Sequence, residues 1–478
     1  QVFQDFYRRL NYVQRQTVDT IEGPVMVVAG PGTGKTLVLT LRIANILRLT
    51  DTPPDAILAL AFTKSAVHSM RERLIEIIGP EAYRVTINTF HGFCNEIIQR
   101  YPEEFPRIIG AKNVSGVEQV KILEQVIERS RAQLLKPFGA PFYHLYDVLA
   151  EIERLKKENF NPKEFKQLVA ERERLFKKLP DKYHQIGPYA HKLKGKFVAL
   201  QKDLAKYREL AALYEDYEAA LQALRFYDFS DMIMEVVRVL QSKPDFLLQL
   251  QEEYFYLLAD EHQDANQAQN RLLELLASFH PAPNLFIVGD EKQAIFQFQG
   301  ASLENFAYFK KLYPQARLIA LTKNYRSSQN ILDAAQSLLQ SDPALTAVLP
   351  GASRILVYPF ESVEDEWRFV GEDLKRKIAA GVPPRELGVL YRDNQDGLAL
   401  AVALEQLSLP YVVESESNIL HDLTIRKLLL LFKTIHHFGD DQWLAQALTL
   451  DFLRLPPLEV YRLIEQGRRQ KLNLYELI

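Results

Sequence analysis

Short apolar runs alternate with amphipathic stretches over residues 1–109 and again from Tyr227 to Leu321. The apolar runs Val25–Ala29, Ile57–Phe62, Tyr254–Ala259 and Leu285–Val288 have the length of buried strands. Apolar residues at helical spacing follow the first two of these runs. Strands that alternate with helices indicate a parallel sheet with crossover helices, so the pattern predicts an α/β fold for these parts of the chain.

The stretch from residue 110 to residue 225 has a different pattern. It is charged, follows the helical period, is interrupted by prolines and contains no alternating strand, and we therefore predict an α-helical insertion. Three later runs, Ile355–Tyr358, Leu387–Tyr391 and Tyr411–Val413, are candidate strands of a second α/β domain. After about residue 420 the pattern is helical again.

Composition narrows the class of protein. A chain of 478 residues suggests about two to four domains. Its single cysteine, Cys94, excludes an internal disulfide and fits a reducing compartment, so we expect a cytoplasmic protein of bacterial type. No apolar run reaches the roughly 18 to 20 residues that a membrane-spanning helix needs, and we expect no membrane association.

The charge pattern leaves two interpretations open. The net charge of −3 gives no overall sign of nucleic-acid binding. Residues 151–209, however, contain sixteen Lys or Arg against nine Asp or Glu. Such a surplus is typical either of a surface that holds phosphates or of a solvated helical surface.

A glycine-rich loop with the sequence Ala29-Gly30-Pro31-Gly32-Thr33-Gly34-Lys35-Thr36 lies between a predicted strand and a predicted helix. Glycines let backbone N–H groups surround phosphate oxygens, and the N-terminus of the following helix adds partial positive charge. In such a loop the lysine reaches the outer phosphates of a nucleotide and the threonine hydroxyl binds Mg²⁺. The loop predicts an ATP site in which Lys35 and Thr36 have these roles.

Two adjacent carboxylates end the apolar run Tyr254–Ala259. Asp260 can hold Mg²⁺, and Glu261 can orient or deprotonate the attacking water. A phosphate-loop ATPase needs an acidic partner at the end of a second strand, so this pair predicts ATP hydrolysis and not only ATP binding.

Several segments, taken in order, resemble the UvrD/Rep-like superfamily 1 helicases, and the resemblance covers nearly the whole chain. The matching segments are Leu10–Gln14, the loop Ala29–Thr36, Ala61–Ala66, Thr89–Gly92, Tyr227–Asp231, Asp260–Asn266, Val288–Phe296, Asn324–Ser327, Leu387–Arg392 and Leu409–Tyr411.

The resemblance implies roles for further residues. Gln14 would recognise the edge of the adenine and Tyr325 would stack on it. Gln293 would sense the γ-phosphate and couple it to DNA, and Arg326 would act as an arginine finger from across a cleft between two motor domains. With Lys35, Asp260 and Glu261 they complete a hydrolytic set that uses ATP and Mg²⁺.

The resemblance also implies contacts with single-stranded DNA. The predicted DNA-binding residues are Phe62, Thr63, Lys64, Thr89, Phe90, His91 and Phe298. Aromatic side chains stack on any base, so we expect little sequence preference. For Phe62 and Phe90 plain core packing remains an alternative, and His91 could instead be a surface histidine or a phosphate contact.

The implied architecture is a RecA-like motor domain with a helical insertion, then a partial second RecA-like domain. The predicted boundaries are 1–109 and 226–315 for the first motor domain, 110–225 for its α-helical insertion, 316–420 for the partial second domain, and 421–478 for the start of a second helical insertion.

The implied function is that of an ATP-dependent helicase or translocase. It would move 3′ to 5′ on single-stranded DNA and act at junctions of duplex and single strand, in DNA repair or recombination. Two alternatives are the motor portion of a helicase-nuclease, with a nuclease domain or subunit as partner, and a nucleotide-binding scaffold that does not translocate.

The sequence departs from the family at several single positions and in its last motifs. Gln299 stands where the family often has an arginine. The last two motifs of the family are absent, so we expect the chain to be an N-terminal fragment of a longer protein and to be inactive when isolated.

Overall fold

The computed structural model describes residues 1–185, 191–294, 305–339, 344–413, 423–470 and 472–478. The chain divides into two compact units, unit 1 (residues 1–355) and unit 2 (residues 356–478). Unit 1 contains a parallel sheet, and unit 2 contains helices and extended segments.

The sheet of unit 1 has six parallel strands: β1 (Val25–Ala29), β2 (Ile57–Ala61), β3 (Thr86–Thr89), β6 (Tyr256–Ala259), β7 (Leu285–Gly289) and β8 (Arg317–Leu321). Their order across the sheet is β3-β2-β6-β7-β1-β8. In the register of the central strands, Val27 of β1 lies opposite Val288 of β7 and Ile319 of β8. The predicted α/β fold with a parallel sheet is thus confirmed. Two further short pairs are β4 (Lys112–Asn113) with β5 (Phe226–Tyr227) and β9 (Lys323–Asn324) with β10 (Thr346–Ala347).

Strand β8 belongs to the first sheet, although it lies beyond the predicted end of the first motor domain at residue 315. We expected the second domain to begin at residue 316, but residues 317–321 pair with β1 as the sixth strand of the first sheet. The pairing joins residues almost three hundred positions apart in the sequence, and local patterns do not report such partners.

Helices cover both faces of the sheet. Alternate strand residues point to opposite sides, so Leu58 and Leu60 enter one core while Ile57, Ala59 and Ala61 enter the other. The helices of unit 1 outside the predicted insertion are α1 (Val2–Arg9), α2 (Tyr12–Asp19), α3 (Lys35–Leu49), α4 (Lys64–Ile78), α5 (Phe90–Arg100), α10 (Phe229–Ser242), α11 (Pro244–Glu253), α12 (Gln267–Ala277), α13 (Asn305–Leu312) and α14 (Gln329–Leu339).

Helices with a core of their own occupy the described part of the predicted insertion. Their buried side chains include Leu123, Ile152 and Leu213. The chain enters this helical insertion through β4 and leaves it through β5, and the two strands pair with each other. The helices are α6 (Gly116–Arg129), α7 (Leu145–Lys157), α8 (Pro162–Lys178) and α9 (Gly195–Ala223).

Three runs that were predicted as strands of the second domain do not form strands. The runs that begin at Ile355, Leu387 and Tyr411 are not paired as strands in the part of the chain that the structure describes. Their apolar side chains are exposed, since Val357 and Val412 are each 87% accessible, and a strand needs both a hydrogen-bonded neighbour and a covered face. The helices of unit 2 are α15 (Val363–Ala379), α16 (Asn394–Gln406), α17 (Leu423–His436), α18 (Asp441–Leu448), α19 (Pro457–Gln470) and α20 (Leu474–Leu477). Among the described helices of both units, none is long and apolar enough to cross a membrane.

Candidate nucleotide and nucleic-acid site

The glycine-rich loop joins the end of β1 to the first turn of α3. Gly32 and Gly34 have φ of +67° and +89°, a backbone region that residues with a Cβ rarely enter. The buried Thr33 hydroxyl donates to the carbonyl oxygen of Gly30 at 2.7 Å and so holds the loop closed on itself. The local sequence therefore forms the turn and helix start that the loop predicts.

The lysine of the loop contacts the second predicted carboxylate directly. Lys35 Nζ lies 2.6 Å from Glu261 Oε2, and their side chains are 11% and 32% accessible. Glu261 has φ +48°, which is uncommon for a residue with a side chain and is often found at functional sites. The structure thus brings together two residues that are 226 positions apart.

Asp260 lies beside this ion pair at the end of β6. Its carboxylate is buried and accepts a hydrogen bond from the Glu261 backbone N–H at 3.0 Å. Burial, and then the charge of Glu261, raise the pKa of Asp260 to about 6. The negative charge of this carboxylate is therefore poorly stabilised by its surroundings, and a bound divalent cation would stabilise it.

Two residues that the sequence analysis did not single out connect Glu261 to Gln293. Gln263 Nε2 donates to Glu261 Oε2 at 2.8 Å, and its Oε1 accepts from the backbone N–H of Asp290 at 2.9 Å. Asp290 Oδ2 in turn accepts from Gln293 Nε2 at 2.8 Å. The ends of β6 and β7 are therefore joined by one continuous hydrogen-bonded chain.

The segment after β8 packs directly on the loop. Asn324 Nδ2 donates to the carbonyl oxygen of Pro31 at 2.6 Å, and the Tyr325 backbone N–H donates to that of Gly32 at 2.8 Å. Arg326 follows in the same unit as the loop. Strand β8, which precedes this segment, belongs to the first sheet. The expectation that Arg326 approaches from a second motor domain stays a prediction.

A cavity of about 320 Å³ opens between these groups. Part of its lining comes from Lys35, Thr36, Glu261, Gln293 and Arg326, together with Gly32 and Gly34 of the loop. Three of its lining side chains are cationic and one is anionic, a balance that suits a polyphosphate.

The cavity has two further lining residues that the sequence analysis missed. Ser69 and Arg73 lie on α4, the helix that follows β2. They are four positions apart and so share one face of that helix. This spacing, on a helix that begins at the same edge of the sheet as the loop, is the signal that could have identified them.

Gln14, the residue predicted to recognise the adenine, has internal hydrogen-bond partners. Gln14 is buried, its Nε2 donates to the carbonyl oxygen of Thr33 at 2.9 Å, and its Oε1 accepts from the Asn11 backbone N–H at 3.0 Å. Asn11 Nδ2 also donates to the Tyr325 hydroxyl at 2.9 Å. Gln14 and Tyr325 therefore lie at the same side of the loop, while their contact with a base remains a prediction.

A buried arginine holds the helix that carries Gln14. Arg42 of α3 donates to the carbonyl oxygens of Thr17, Thr20 and Ile21 at the end of α2. Its guanidinium also lies over the Phe286 ring, and burial lowers its pKa to about 9. The loop helix and the helix of Gln14 are thus fixed to each other.

The predicted DNA-binding residues follow the ends of β2 and β3. Thr63 caps α4 through the Ala66 N–H, and Thr89 caps α5 through the Gly92 N–H. Lys64 is exposed and Phe62 is partly buried. Phe298 lies outside the described residues.

Two of the predicted stacking platforms have other partners. Phe90 is 3% accessible and belongs to the core of the sheet, so the prediction that it stacks on a base is wrong and plain core packing applies. The His91 ring stacks on Phe229 with centroids 3.9 Å apart. Burial, and then the charge of Lys157, lower the pKa of His91 to about 4, so the ring is neutral at pH 7.

Gly32 provides a direct test of the packed loop. A Cβ added there would lie 2.7 Å from the Arg326 Cβ and 2.8 Å from Asn324 Nδ2. We expect Gly32→Ala to push this segment off the loop and to weaken nucleotide binding by about ten-fold, or 1.4 kcal/mol. Titration with a fluorescent ATP analogue measures the effect.

Gly23→Ala is the matched control for this test. Gly23 has φ +75°, close to that of Gly32, but a Cβ there would meet no atom within 4 Å. The control carries the backbone strain without the collision, so equal loss of affinity in both variants would contradict the role given to the packed segment.

The fold and the cavity define a RecA-like, phosphate-loop type of protein. A sequence model of the UvrD/REP helicase N-terminal domain matches residues 10–314, and one of the UvrD-like helicase C-terminal domain matches residues 319–478. The chain belongs to the UvrD/Rep helicase family.

The chain is similar to the ATP-dependent DNA helicase PcrA of Staphylococcus epidermidis, with 27% identity over 477 residues that cover 98% of this chain and 60% of the relative. The PcrA of Staphylococcus aureus is 28% identical over 98% of this chain and 59% of its own length. The chain thus spans about three fifths of the curated relatives it matches.

Proposed function

We propose that the complete protein is an ATP-driven DNA helicase that moves 3′ to 5′ on single-stranded DNA and opens duplex at junctions with single strands. The observation that carries the proposal is the convergence of Lys35, Glu261, Gln293 and Arg326 on one cavity. Membership of the UvrD/Rep family and the similarity to the staphylococcal DNA helicases support it. The direction rests on the family resemblance alone, as does a setting in DNA repair or recombination.

The residues of the cavity have complementary tasks in this proposal. Lys35 and Arg326 attract the outer phosphates of ATP, and their charges stabilise the negative charge that develops during hydrolysis. Glu261 accepts a proton from the attacking water. Thr36 and Asp260 would hold Mg²⁺, which when bound supplies positive charge to the phosphates.

The hydrogen-bonded chain from Glu261 to Gln293 supports coupling between ATP and DNA. Gln293 lines the cavity, and Asp290 and Gln263 relate its position to that of Glu261. If hydrolysis of the bound nucleotide moves Gln293, these hydrogen bonds would therefore shift the residues at the ends of β6 and β7. The helix starts capped by Thr63 and Thr89 offer N–H groups to DNA phosphates at neighbouring strand ends.

The test measures ATP hydrolysis with and without an oligothymidylate at low salt. We expect the complete natural chain to hydrolyse ATP faster with DNA, and Lys35→Ala to lower the stimulated rate more than about 10²-fold. The exposed Lys375 on α15 provides the control variant Lys375→Ala, which should retain the rate. Displacement of a labelled strand from duplexes with a 3′ or a 5′ tail measures the direction.

Two results would contradict the proposal. ATP binding without any DNA-stimulated turnover would favour the scaffold that does not translocate. Preference for the 5′ tail would overturn the direction while leaving the motor intact. A nuclease partner and a cytoplasmic location remain predictions from the sequence.

A further inference from the structure

A fully buried lysine lies where the helical insertion meets the sheet of unit 1. Lys156, in the last turn of α7, has a side-chain accessibility of 0%. Its Nζ lies 2.5 Å from Glu218 Oε1 and 2.8 Å from Asp231 Oδ1, and it also contacts Asp228. A buried ammonium is costly unless carboxylates surround it, and here three of them do.

The three carboxylates come from both sides of the junction. Glu218 lies on α9 of the insertion. Asp228 and Asp231 form the reciprocal cap at the start of α10, which packs on the sheet. Lys156 therefore joins two helices of the insertion to one helix of the motor part.

A second cation, Arg107, extends the cluster to the segment through which the chain enters the insertion. Arg107, which precedes β4, lies 2.5 Å from Glu218 and 3.7 Å from Glu235 of α10. Arg238 pairs with Glu235 at 2.7 Å from the outer side. The cluster thus spans the segments that enter and leave the insertion, directly beside the paired strands β4 and β5.

The geometry argues against a metal ion at this place. Oxygens of Glu218, Asp228 and Asp231 lie within 4.8 Å of one another, as in a cation site. The Lys156 ammonium already lies within 2.8 Å of all three. The attraction of the carboxylates holds the pKa of Lys156 well above its usual value, so the group stays charged.

Two residues next to members of the cluster in the sequence affect His91, which is a predicted DNA-binding residue. Phe229, which follows Asp228, stacks on His91. Lys157, which follows Lys156, is close enough for its charge to lower the pKa of His91. A shift of Lys156 relative to Asp228 would therefore move both the ring that stacks on His91 and the charge near it.

We propose that Lys156 is a positioning residue that locks the helical insertion onto the DNA-contacting edge of the sheet through Glu218, Asp228 and Asp231. The proposal rests on the proposed function, because it assigns the lock a role in holding DNA. It predicts that loss of the Lys156 charge weakens DNA binding without changing nucleotide binding.

The central variant is Lys156→Met, which keeps the length of the side chain and removes its charge. We expect the affinity for an oligothymidylate to fall by about ten-fold, with unchanged affinity for a fluorescent ATP analogue in the absence of DNA. Lys156→Arg should restore part of the DNA affinity. The matched control is Lys121→Met, at an exposed position on α6 outside residues 151–209, and it should leave DNA binding unchanged.

A distance measurement tests the lock without DNA or ATP. Spin labels at the exposed positions Tyr146→Cys on α7 and Leu248→Cys on α11 report the position of the insertion relative to the sheet. The natural Cys94 is fully buried and burial raises its pKa, so the introduced cysteines are labelled selectively. We expect a broader distance distribution in Lys156→Met than in the parent protein.

A second variant covers the case in which Lys156→Met does not fold. Glu218→Gln weakens the lock from the insertion side and leaves the cap of α10 intact, so it should change DNA affinity and the distance distribution in the same direction but less. Parental DNA affinity and distances in both variants would overturn the proposal, as would unfolding of both. Failure of the parent protein itself to bind DNA would instead overturn the proposed function, since the distance measurement does not depend on DNA.

Discussion

Replacing Glu261 by glutamine is expected to lower ATP turnover by about 10² to 10⁴-fold and to leave ATP binding intact or tighter. Glu261 lines the cavity and its carboxylate is the group there that can take a proton from water. Its ion pair with Lys35 must open before the lysine can reach a phosphate. Glutamine removes the base and weakens this competing partner at the same time, so catalysis and binding should change in opposite directions.

Single-turnover hydrolysis and titration with a fluorescent nucleotide measure the two effects separately. Glu252→Gln, at an exposed position near the end of α11, is the chemically identical control and should resemble the parent protein in both measurements. Turnover of Glu261→Gln within about three-fold of the parent would show that another group accepts the proton, because a general base contributes far more than that.

Replacing Arg326 by alanine is expected to lower ATP turnover by about 10³ to 10⁵-fold. Arg326 lines the cavity, and the hydrogen bonds of Asn324 and Tyr325 to Pro31 and Gly32 fix its backbone against the loop. In the proposed function, the guanidinium would stabilise negative charge on the outer phosphates. Arg326→Lys should recover little of the rate, because an ammonium lacks the planar fork of donors.

The control for this variant is Arg354→Ala, at an exposed position in unit 1. Turnover should be measured at saturating ATP, so that weaker binding does not imitate a catalytic defect. A loss confined to ATP affinity would contradict the assigned role, since it would mean that Arg326 holds the ground state and the transition state equally well.

The sequence predicts the loop and the strands around it because their signals are local. Glycines with positive φ, a lysine at a helix start and apolar runs of strand length need no knowledge of distant residues. The boundaries of β1 are reproduced to the residue. The carboxylates at the end of β6 are likewise found because they follow such a run directly.

Other features depend on partners that are distant in the sequence. The place of β8 beside β1 cannot be inferred from its own residues. Phe90 has the same local pattern whether it faces a base or the core, and only the packing of α5 distinguishes the two. Lys156 lies in a stretch whose charge fits a solvated surface equally well, because burial of its ammonium depends on three carboxylates contributed by α9 and α10.

The position of β8 has a consequence for the modularity of the protein. Lys35, Glu261, Gln293 and Arg326 all lie between residues 35 and 326, within the compact unit that ends at residue 355. A rearrangement that replaces only the segment after residue 355 would leave these four residues together in one compact unit.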